Sequence, residues 1–419
     1  MPEINAERLL GDLRRFAEFG AYKTGVRPTY SKADMESRHW LAQQYEAVGL
    51  KAHIDGVGNV FGTPPSERRS LLIGSHAESQ NHAGWLDGAL GVIYGLEIAR
   101  AFAEAPDCAG LPIAPVSWAD EESHYVDLLG SRSFVGDIEE AELDRAVNVD
   151  HGQPLRDALR EAGLAGVPRT LVKPERHVGY LEAHIEQGDA LEASGKRIGI
   201  VTSIVGIWQY RIVFHGVQNH AGTTRMAIRK DAGVATAALA MAIAEAFPGI
   251  AGPRSVWTTG RITLEPGALS IIPGKAEMLF QFRDAEVPVL ERLDSALREL
   301  VEQIEATTGC RAEIERIATG RPWHMDTAFQ DAIEAAAERH ASGAHVRMPS
   351  GASHDAQVIA RKLRAGMLFV PSIWRHQPSL DREHQRCGHR AWLPGAIGCG
   401  RGHPAQSRPP GIMMGLLPS

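Results

Sequence analysis

Apolar and polar positions along this chain follow first a helical and then a strand-like period. A capping box, Ser31-x-x-Asp34, opens a pattern that predicts an amphipathic helix ending at Gly49. Another helix is predicted from about Leu90. Apolar runs predict buried strands at 70–74, 112–118, 179–183 and 364–370. Strands that alternate with helices are typical of an α/β fold, and we predict a large catalytic α/β domain with a central mixed sheet.

The middle of the chain has a different order of elements. Its predicted elements are strand Tyr210–His215, helix Asp231–Phe247, strands Val256–Leu264 and Ala276–Arg283, helix Val287–Thr307 and strand Arg311–Ala318. The order β-α-β-β-α-β is ferredoxin-like. We therefore predict a ferredoxin-like α+β domain over 209–322, inserted between two parts of the catalytic domain, 1–208 and 323–373.

Composition narrows the class of protein. The 419 residues include 44 Lys and Arg against 51 Asp and Glu, a net charge of −7, which argues against nucleic acid or an anionic membrane surface as partner. Apolar runs are shorter than the ~20 residues of a membrane span, and the N-terminus lacks a secretory pattern. Four scattered cysteines favour a reducing compartment, and we expect a cytoplasmic protein: Cys108, Cys310, Cys387 and Cys399.

Acidic and histidine residues follow the ends of several predicted strands. They are His76 and Glu78 after SLLIGS, Asp87 in GWLDGALG, Asp120, Glu121 and Glu122 after PIAPVSWA, and His184 in HIEQG. Open α/β sheets build sites at the carboxyl ends of strands. Imidazole and carboxylate together suit Zn, Mn, Co or Ni. Taken singly, each cluster is more often structural or a solvated turn, and the joint spacing favours a metal site.

Eight motifs carry a resemblance to a known family. They are GSHAESQNHAGWLDGALGV (74–92), ADEES (119–123), LLGSRSF (128–134), YLEAHIEQG (180–188), NHAGTTRM (219–226), IIPGKAEMLFQFRD (271–284), PSGASHDA (349–356) and MLFVPSI (367–373). Residues 1–373 resemble, in order, the hydantoinase/carbamoylase-type amidases of the M20 metallopeptidase clan. That group includes N-carbamoyl-L-amino acid hydrolases, allantoate amidohydrolases and β-alanine synthases.

The resemblance implies a site for two divalent metal ions, zinc or manganese, cobalt or nickel. His76, a bridging Asp87 and His184 would hold one ion. Asp87, Glu122 and a late histidine would hold the other. Glu121 would act as general base toward the attacking water. Glu78 stands where the family usually has Asp, and it would orient the first histidine from behind.

The resemblance also implies substrate contacts and a homodimer. The inserted domain would be a lid and dimerisation domain whose His220 reaches the partner subunit's site and stabilises the oxyanion. Gln187 and Arg283 would bind the substrate, and Arg283 suits its carboxylate. The remaining substrate-binding candidates are Ser270, where the family often has Asn, and Gly351, Ala352 and His354 of PSGASHDA.

Plainer interpretations of these residues stay open. His220 can be an ordinary loop histidine close to the start of a helix. Arg283 can form a rim salt bridge, for example with Asp284. The segment PSGASHDA can simply be a loop that enters a helix.

The last 46 residues, 374–419, differ from the rest. They contain 7 Gly, 6 Pro and six Arg, with a net charge of +4, and they show no helix or strand period. The family continues instead with Gly-Gly-Ile-Ser-His, whose His is the remaining ligand of the second metal. Shifting the codons of 374–382 by one base permits Gly-Gly-Ile-Ser-His-His-Trp-Thr-Glu. We hypothesise that this tail is translated out of frame, through a mutation or a sequencing error.

Three functions follow from these expectations. The leading one is metal-dependent hydrolysis of the carbamoyl C–N bond of N-carbamoyl-L-amino acids. Allantoate or another ureido acid is the alternative substrate. An alternative of another class is a catalytically impaired protein that keeps the fold, because the late metal ligand is missing. His376, two positions before the lost ligand at Pro378, would face the same way on an extended segment and could replace it.

Overall fold

A computed structural model describes residues 2–20, 26–80, 84–105 and 112–372. The predicted out-of-frame tail, 374–419, with His376, lies outside the described residues. The chain divides into two compact units. Among the described residues, one unit is formed by the chain up to Thr202 together with 324–372, and the other is Ser203–Trp323, which contains the whole predicted insertion.

The helices and strands follow the chain in this order. The helices are α1 (Ala6–Glu18), α2 (Lys32–Ala47), α3 (Ala89–Glu104), α4 (Leu129–Val135), α5 (Glu140–Arg145), α6 (Leu155–Glu161), α7 (Ala190–Ala193), α8 (Ala232–Ala246), α9 (Val287–Thr308), α10 (Thr327–His340) and α11 (Asp355–Ile359). The strands are β1 (Lys51–Ile54), β2 (Val60–Thr63), β3 (Ser70–His76), β4 (Ile113–Trp118), β5 (His177–Ile185), β6 (Ile198–Ile204), β7 (Gly206–His215), β8 (Asn219–His220), β9 (Val256–Glu265), β10 (Ile271–Ile272), β11 (Lys275–Asp284), β12 (Arg311–Thr319), β13 (Trp323–His324), β14 (His345–Ser350) and β15 (Ala365–Val370).

The first unit is built on a mixed sheet, as predicted. Its strand order is β1-β2-β4-β3-β5-β15-β6-β13, and β14 pairs with β6. The neighbours β4, β3, β5 and β15 are parallel, whereas β1, β2 and β6 run antiparallel to their partners. Every residue of β3 and β4 is buried, which explains why both are continuous apolar runs.

Helix α2 begins where the capping box predicts it. Ser31 Oγ accepts the Asp34 N–H at 3.2 Å, and Asp34 Oδ2 accepts the Tyr30 N–H at 2.9 Å. These bonds satisfy backbone donors that the first turn leaves free. The buried face of α2 carries Asp34 and Arg38 besides its apolar residues, so charged groups enter the interior at this helix.

The second unit has the predicted ferredoxin-like order. Its antiparallel sheet has the strand order β12-β7-β11-β9, and β11 alternates between buried and half-buried residues. Helices α8 and α9 pack on the apolar face of this sheet. The segment Ala232–Gly249 is apolar enough to cross a membrane, with mean hydropathy 1.4 over 18 residues. A third of this segment is buried, including Leu239 and Ile243 in the core of the unit, whereas Met241 is exposed.

Candidate active site

The candidate metal ligands of the first unit lie at one edge of its sheet. His76 is the last residue of β3, and His184 lies one residue before the end of β5. Glu121 and Glu122 follow β4, and β4, β3 and β5 are parallel neighbours. Parallel strands end at the same edge, so residues distant in sequence meet there. Asp87 joins them from the turn that precedes α3.

Three of these side chains form a buried group. His76, Asp87 and His184 each offer a ligand atom, and these atoms lie within 4.8 Å of one another. Asp87 Oδ1 is 3.2 Å from His184 Nε2 and 3.8 Å from His76 Nε2. The same Oδ1 is buried and accepts no well-aligned hydrogen bond among the described residues. The carboxylate therefore lies between both imidazoles with an oxygen available to a ligand.

Both imidazoles present the same nitrogen to Asp87. His76 Nδ1 lies 3.2 Å from the Glu78 carbonyl oxygen, and His184 Nδ1 lies 2.8 Å from the Ile185 carbonyl oxygen. A carbonyl oxygen can only accept, so Nδ1 carries the proton in each ring. Each Nε2 atom faces Asp87, and that of His184 also accepts the Gly88 N–H at 3.1 Å. Metal-bound histidines are usually oriented in this way, with Nδ1 bonded to a carbonyl and Nε2 turned to the ion.

Glu121 and Glu122 form a second group with His76. Their ligand atoms again lie within 4.8 Å of one another, and Glu121 Oε2 is 3.6 Å from His76 Nε2. The resemblance instead implies that Glu122 shares an ion with Asp87. In the structure Glu122 is thus grouped with the predicted base and the first histidine.

Asp120 shapes the loop that carries the two glutamates. Its φ is +56°, a left-handed conformation that costs about 1–2 kcal/mol in a residue with a side chain. Its carboxylate accepts the N–H groups of residues 124–126 at 2.8 to 2.9 Å and the Thr29 hydroxyl at 2.8 Å. These four bonds offset the strained backbone and fix where Glu121 begins.

Burial and neighbouring charges shift the protonation of these groups in opposite directions. Burial acts to raise the pKa of Asp87, but the close His184 imidazole outweighs it and lowers the pKa to about 2. Burial acts to lower the pKa of His184, but Asp87 raises it to about 9. Burial, followed by the charges of Asp355 and Glu122, raises the pKa of Glu121 well above its ordinary value. Burial and the charge of Asp87 raise the pKa of Glu122 to about 8.

These residues fit divalent cations. Within the described part of the chain, the ion pairs of Asp87 and Glu121 are with imidazoles only, so no arginine or lysine balances these buried carboxylates. Buried charges without a partner are costly, and a cation would remove that cost. Two imidazole nitrogens and several carboxylate oxygens form a donor set suited to Zn²⁺ or Mn²⁺.

The Glu78 carboxylate lies beside His76 but makes its hydrogen bonds elsewhere. Its Oε1 is 3.7 Å from His76 Nδ1, whereas the backbone carbonyl of Glu78 is closer to that nitrogen. Oε1 accepts the Glu121 N–H at 2.6 Å, and Oε2 accepts Arg38 Nη2 at 2.9 Å. The Glu78 residue thus links His76 to the loop that carries the predicted base, Glu121.

Two substrate-binding candidates lie against the metal residues. Gln187 Nε2 donates to Asp87 Oδ2 at 2.8 Å. The His354 ring lies 4.6 Å from the His184 ring, centroid to centroid, and is 1 % exposed. Burial, followed by the charge of His184, lowers the pKa of His354 well below its ordinary value. A neutral imidazole therefore packs against the buried group of His76, Asp87 and His184.

The other candidates of this unit lie in the loop before α11. Gly351 is exposed, and the Ala352 N–H donates to Ser350 Oγ at 3.1 Å. Ser350 Oγ is also 3.0 Å from His354 Nε2. The loop is therefore folded around one serine hydroxyl, with His354 on its inner side.

The second unit carries His220, Ser270 and Arg283. His220 is exposed, and its Nδ1 accepts the Gly222 and Thr223 N–H groups at 3.0 and 3.2 Å. Its proton is therefore on Nε2, which is left as a donor. The carbonyl of Ser270 accepts the Ala221 N–H at 2.9 Å, which joins the candidate serine to the His220 loop.

Arg283 is half-buried in the second unit, and burial lowers its pKa. The carboxylate of the neighbouring Asp284 is engaged elsewhere. It accepts hydrogen bonds from the Ser255 hydroxyl and, at 2.7 Å, from the Glu286 N–H.

Sequence reasoning missed the charged residues behind the site. Arg38 and Asp34, four residues apart on α2, are both fully buried. Opposite charges four residues apart on a helix usually form an exposed ion pair. The pair of Arg38 and Asp34 differs only in that Glu78 is buried beside it. Asp355 lies in the motif PSGASHDA, where no local pattern marks it, yet it is fully buried next to His354.

A sheet edge that gathers two imidazoles and several buried carboxylates is typical of hydrolases that use divalent cations. The family model described as peptidase family M20/M25/M40 matches residues 49–393. This chain belongs to that family.

The named relatives of this chain come from one branch of the family. An N-carbamoyl-L-amino-acid amidohydrolase of Paenarthrobacter aurescens is 31% identical over 383 residues, covering 89% of this chain and 92% of that protein. An allantoate amidohydrolase of Bacillus subtilis is 32% identical over 365 residues, covering 85% and 87%. The crystal structure of a hydantoinase/carbamoylase-family amidase from Burkholderia phymatum is 47% identical, with a TM-score of 0.85 over 93% of this chain and 96% of that one. The chain is a hydrolase of carbon–nitrogen bonds.

Proposed function

We propose that this protein is a divalent-metal-dependent amidohydrolase that cleaves the carbamoyl C–N bond of N-carbamoyl-L-amino acids. The reaction consumes one water and releases the amino acid, CO₂ and ammonia. The observation that carries the proposal is the buried group of His76, Asp87 and His184 with Glu121 beside it. The names of the relatives described above support the substrate class.

His76, Asp87 and His184 would hold one ion, and Asp87 with Glu122 would contribute to a second. Divalent ions there would supply polarisation of the ureido carbonyl and activation of water at neutral pH. Glu121 is the general base: its Oε2 takes a proton from the attacking water and returns it to the leaving nitrogen. Its burial supports this role, because a raised pKa lets a carboxylate hold that proton between the two steps.

The remaining candidates bind and orient the substrate. His220 donates from Nε2 to the developing oxyanion, and the two N–H bonds to its Nδ1 support this tautomer. Arg283 pairs with the substrate carboxylate. Gln187, Ser270, Gly351, Ala352 and His354 complete the substrate-binding set. The protein acts as a cytoplasmic homodimer in which the ferredoxin-like unit is the lid and supplies His220 to the partner's site.

The substrate is tested by a matched panel. The protein, loaded with Zn²⁺ or Mn²⁺, is incubated with an N-carbamoyl-L-amino acid, its D-enantiomer and allantoate, and ammonia release is measured. We expect turnover of the L-carbamoyl substrate and loss of at least about a thousandfold in Glu121→Gln, which keeps the shape but cannot take a proton. Turnover of allantoate alone would move the assignment to the alternative substrate. Absence of turnover with every substrate by a folded, metal-loaded protein would overturn the proposal.

The chain's last segment gives a second experiment. The gene is resequenced across the codons of Ile373 and Trp374, and bound metal is counted per chain. A surplus base together with two ions per chain in the corrected protein supports the enzyme. A confirmed sequence with one ion or none supports the impaired, fold-retaining protein.

A further inference from the structure

A network of buried charges lies behind the candidate metal residues. Arg38, Asp34 and Glu78 have fully buried side chains. Arg38 belongs to α2, which contributes no candidate ligand, whereas Glu78 follows β3 by two residues. A buried guanidinium is costly unless its donors are used, so the partners of Arg38 show what it holds in place.

The Arg38 guanidinium connects three segments of the first unit. Nε donates to the Asp34 carboxylate at 2.9 Å, within α2. Nη1 donates to the Gly58 carbonyl at 2.7 Å and lies 3.4 Å from the carbonyl of Trp118, the last residue of β4. Nη2 donates to Glu78 Oε2 at 2.9 Å. The planar fork thus fixes the helix, the end of β4 and the Glu78 side chain relative to one another.

Glu78 connects Arg38 both to the proposed base, Glu121, and to the first metal ligand, His76. Its second oxygen accepts the Glu121 N–H at 2.6 Å, which sets the backbone of the proposed base. Its main-chain carbonyl lies 3.2 Å from His76 Nδ1, which sets the ring of the first metal ligand. A displacement of the Glu78 carboxylate would therefore move the base and disturb the histidine together.

We propose that Arg38 is a positioning residue that acts through Glu78 on Glu121 and His76. The expected effect of Arg38 on the reaction rests on the proposed function, whereas its expected effect on metal binding does not. Lysine cannot replace it, because a single ammonium nitrogen cannot meet Asp34, Gly58 and Glu78 with the geometry of a guanidinium.

The test compares Arg38→Met and Arg38→Lys in the full chain with a matched control, Arg8→Met. Arg8 also pairs through Nε and Nη2 with a buried carboxylate, Glu97, at 2.7 and 2.9 Å, but this pair joins α1 to α3. Zn²⁺ affinity is measured by competition with a chromophoric chelator. The constants kcat and KM are measured at saturating metal, and stability is measured by thermal unfolding.

We expect both Arg38 variants to bind Zn²⁺ about 10- to 100-fold more weakly, as for loss of other groups that orient metal ligands. We expect kcat to fall by at least about tenfold with KM nearly unchanged, since the base is displaced. Arg8→Met should lower the melting temperature alone. In the Arg38→Lys background, Glu78→Gln should add little, because both changes break the same link.

The proposal is overturned if the Arg38 variants lose stability but keep wild-type Zn²⁺ affinity and kcat, as a purely structural arginine would. Full additivity with Glu78→Gln would also overturn it. If Arg38→Met does not fold, Arg38→Lys, which keeps the charge that balances Asp34, gives the decisive comparison. If the wild type hydrolyses no ureido acid, the proposed function fails, while the Zn²⁺ measurements still decide the role of Arg38.

Discussion

Replacing Gly88 by alanine should expel His76 from the candidate metal group. Gly88 directly precedes α3 and has a φ of +61°. A Cβ built at this position would lie 2.4 Å from Cδ2 and 2.5 Å from Cε1 of the His76 ring. The ring is 1 % exposed, so it has little room to withdraw.

The size of the effect follows from these distances. Ordinary van der Waals contact with a Cβ begins at 3.4 Å, so the ring has to move by about 1 Å. A Zn–N bond is about 2.0–2.1 Å long and tolerates roughly 0.2 Å. A shift several times larger than this tolerance removes one ligand. We therefore expect Zn²⁺ affinity to fall by at least about 100-fold.

Gly49→Ala is the matched control. Gly49 has a φ of +84°, and a Cβ there would meet nothing within 4 Å. Both variants place a side chain at a positive φ, which costs about 1–2 kcal/mol in the left-handed helical region. The cost is larger at Gly88, whose ψ of −47° lies outside that region, and chemical denaturation measures it in each variant. Only Gly88→Ala adds the collision with His76, which chelator competition with Zn²⁺ measures. If the two variants bind Zn²⁺ equally well, the rigid placement of His76 inferred from the structure is wrong.

Two further predictions concern protonation and assembly. Asp87 raises the pKa of His184 from 6.5 to about 9, and His184 lowers that of Asp87 from 3.8 to about 2. In the metal-free protein this pair therefore stabilises the fold fully between pH 3.8 and 6.5, and its contribution is lost as the pH rises through 9 or falls through 2. Metal has to displace the His184 proton, and also the proton of Glu122, whose pKa is about 8, where Glu122 binds an ion. Calorimetry in buffers of different ionisation enthalpy should therefore detect at least about one proton released at pH 7, and affinity independent of pH would contradict this. Mixing His220→Ala chains with Glu121→Ala chains should restore about a quarter of wild-type activity, since half of the dimers are mixed and each has one intact site. No recovery, with mixed dimers shown to form, would exclude a role of His220 across the interface.

The sequence predicted the elements well because their patterns are local. Strands β3 and β15 are short apolar runs bounded by polar residues. The N-cap of α2 is determined by four consecutive residues, Ser31 to Asp34. The ferredoxin-like order likewise follows from element types alone. The strand-end rule then indicates which polar residues lie at the common edge.

The finer arrangement depends on long-range contacts that no local pattern carries. The link from Arg38 to Glu78 spans 40 residues, and that from Glu78 to the Glu121 N–H spans 43. A buried arginine looks the same in sequence as an exposed one. The prediction that Glu78 orients His76 therefore identified the right neighbours, but not that the main-chain carbonyl makes the shorter contact.

The last strand has a consequence for how this gene tolerates damage. Strand β15 pairs with β5 so that Phe369 is opposite His184, and Ser372 Oγ accepts the Gln187 N–H at 2.9 Å. Every strand that the structure describes in this sheet is thus encoded before codon 371, and residues 371–372 continue from the ligand-bearing edge. A frame change after codon 373 leaves the sequence of every described strand unchanged. Because the described strands stay intact, we expect such an allele to lose activity more than it loses this sheet, and selection for activity would remove it.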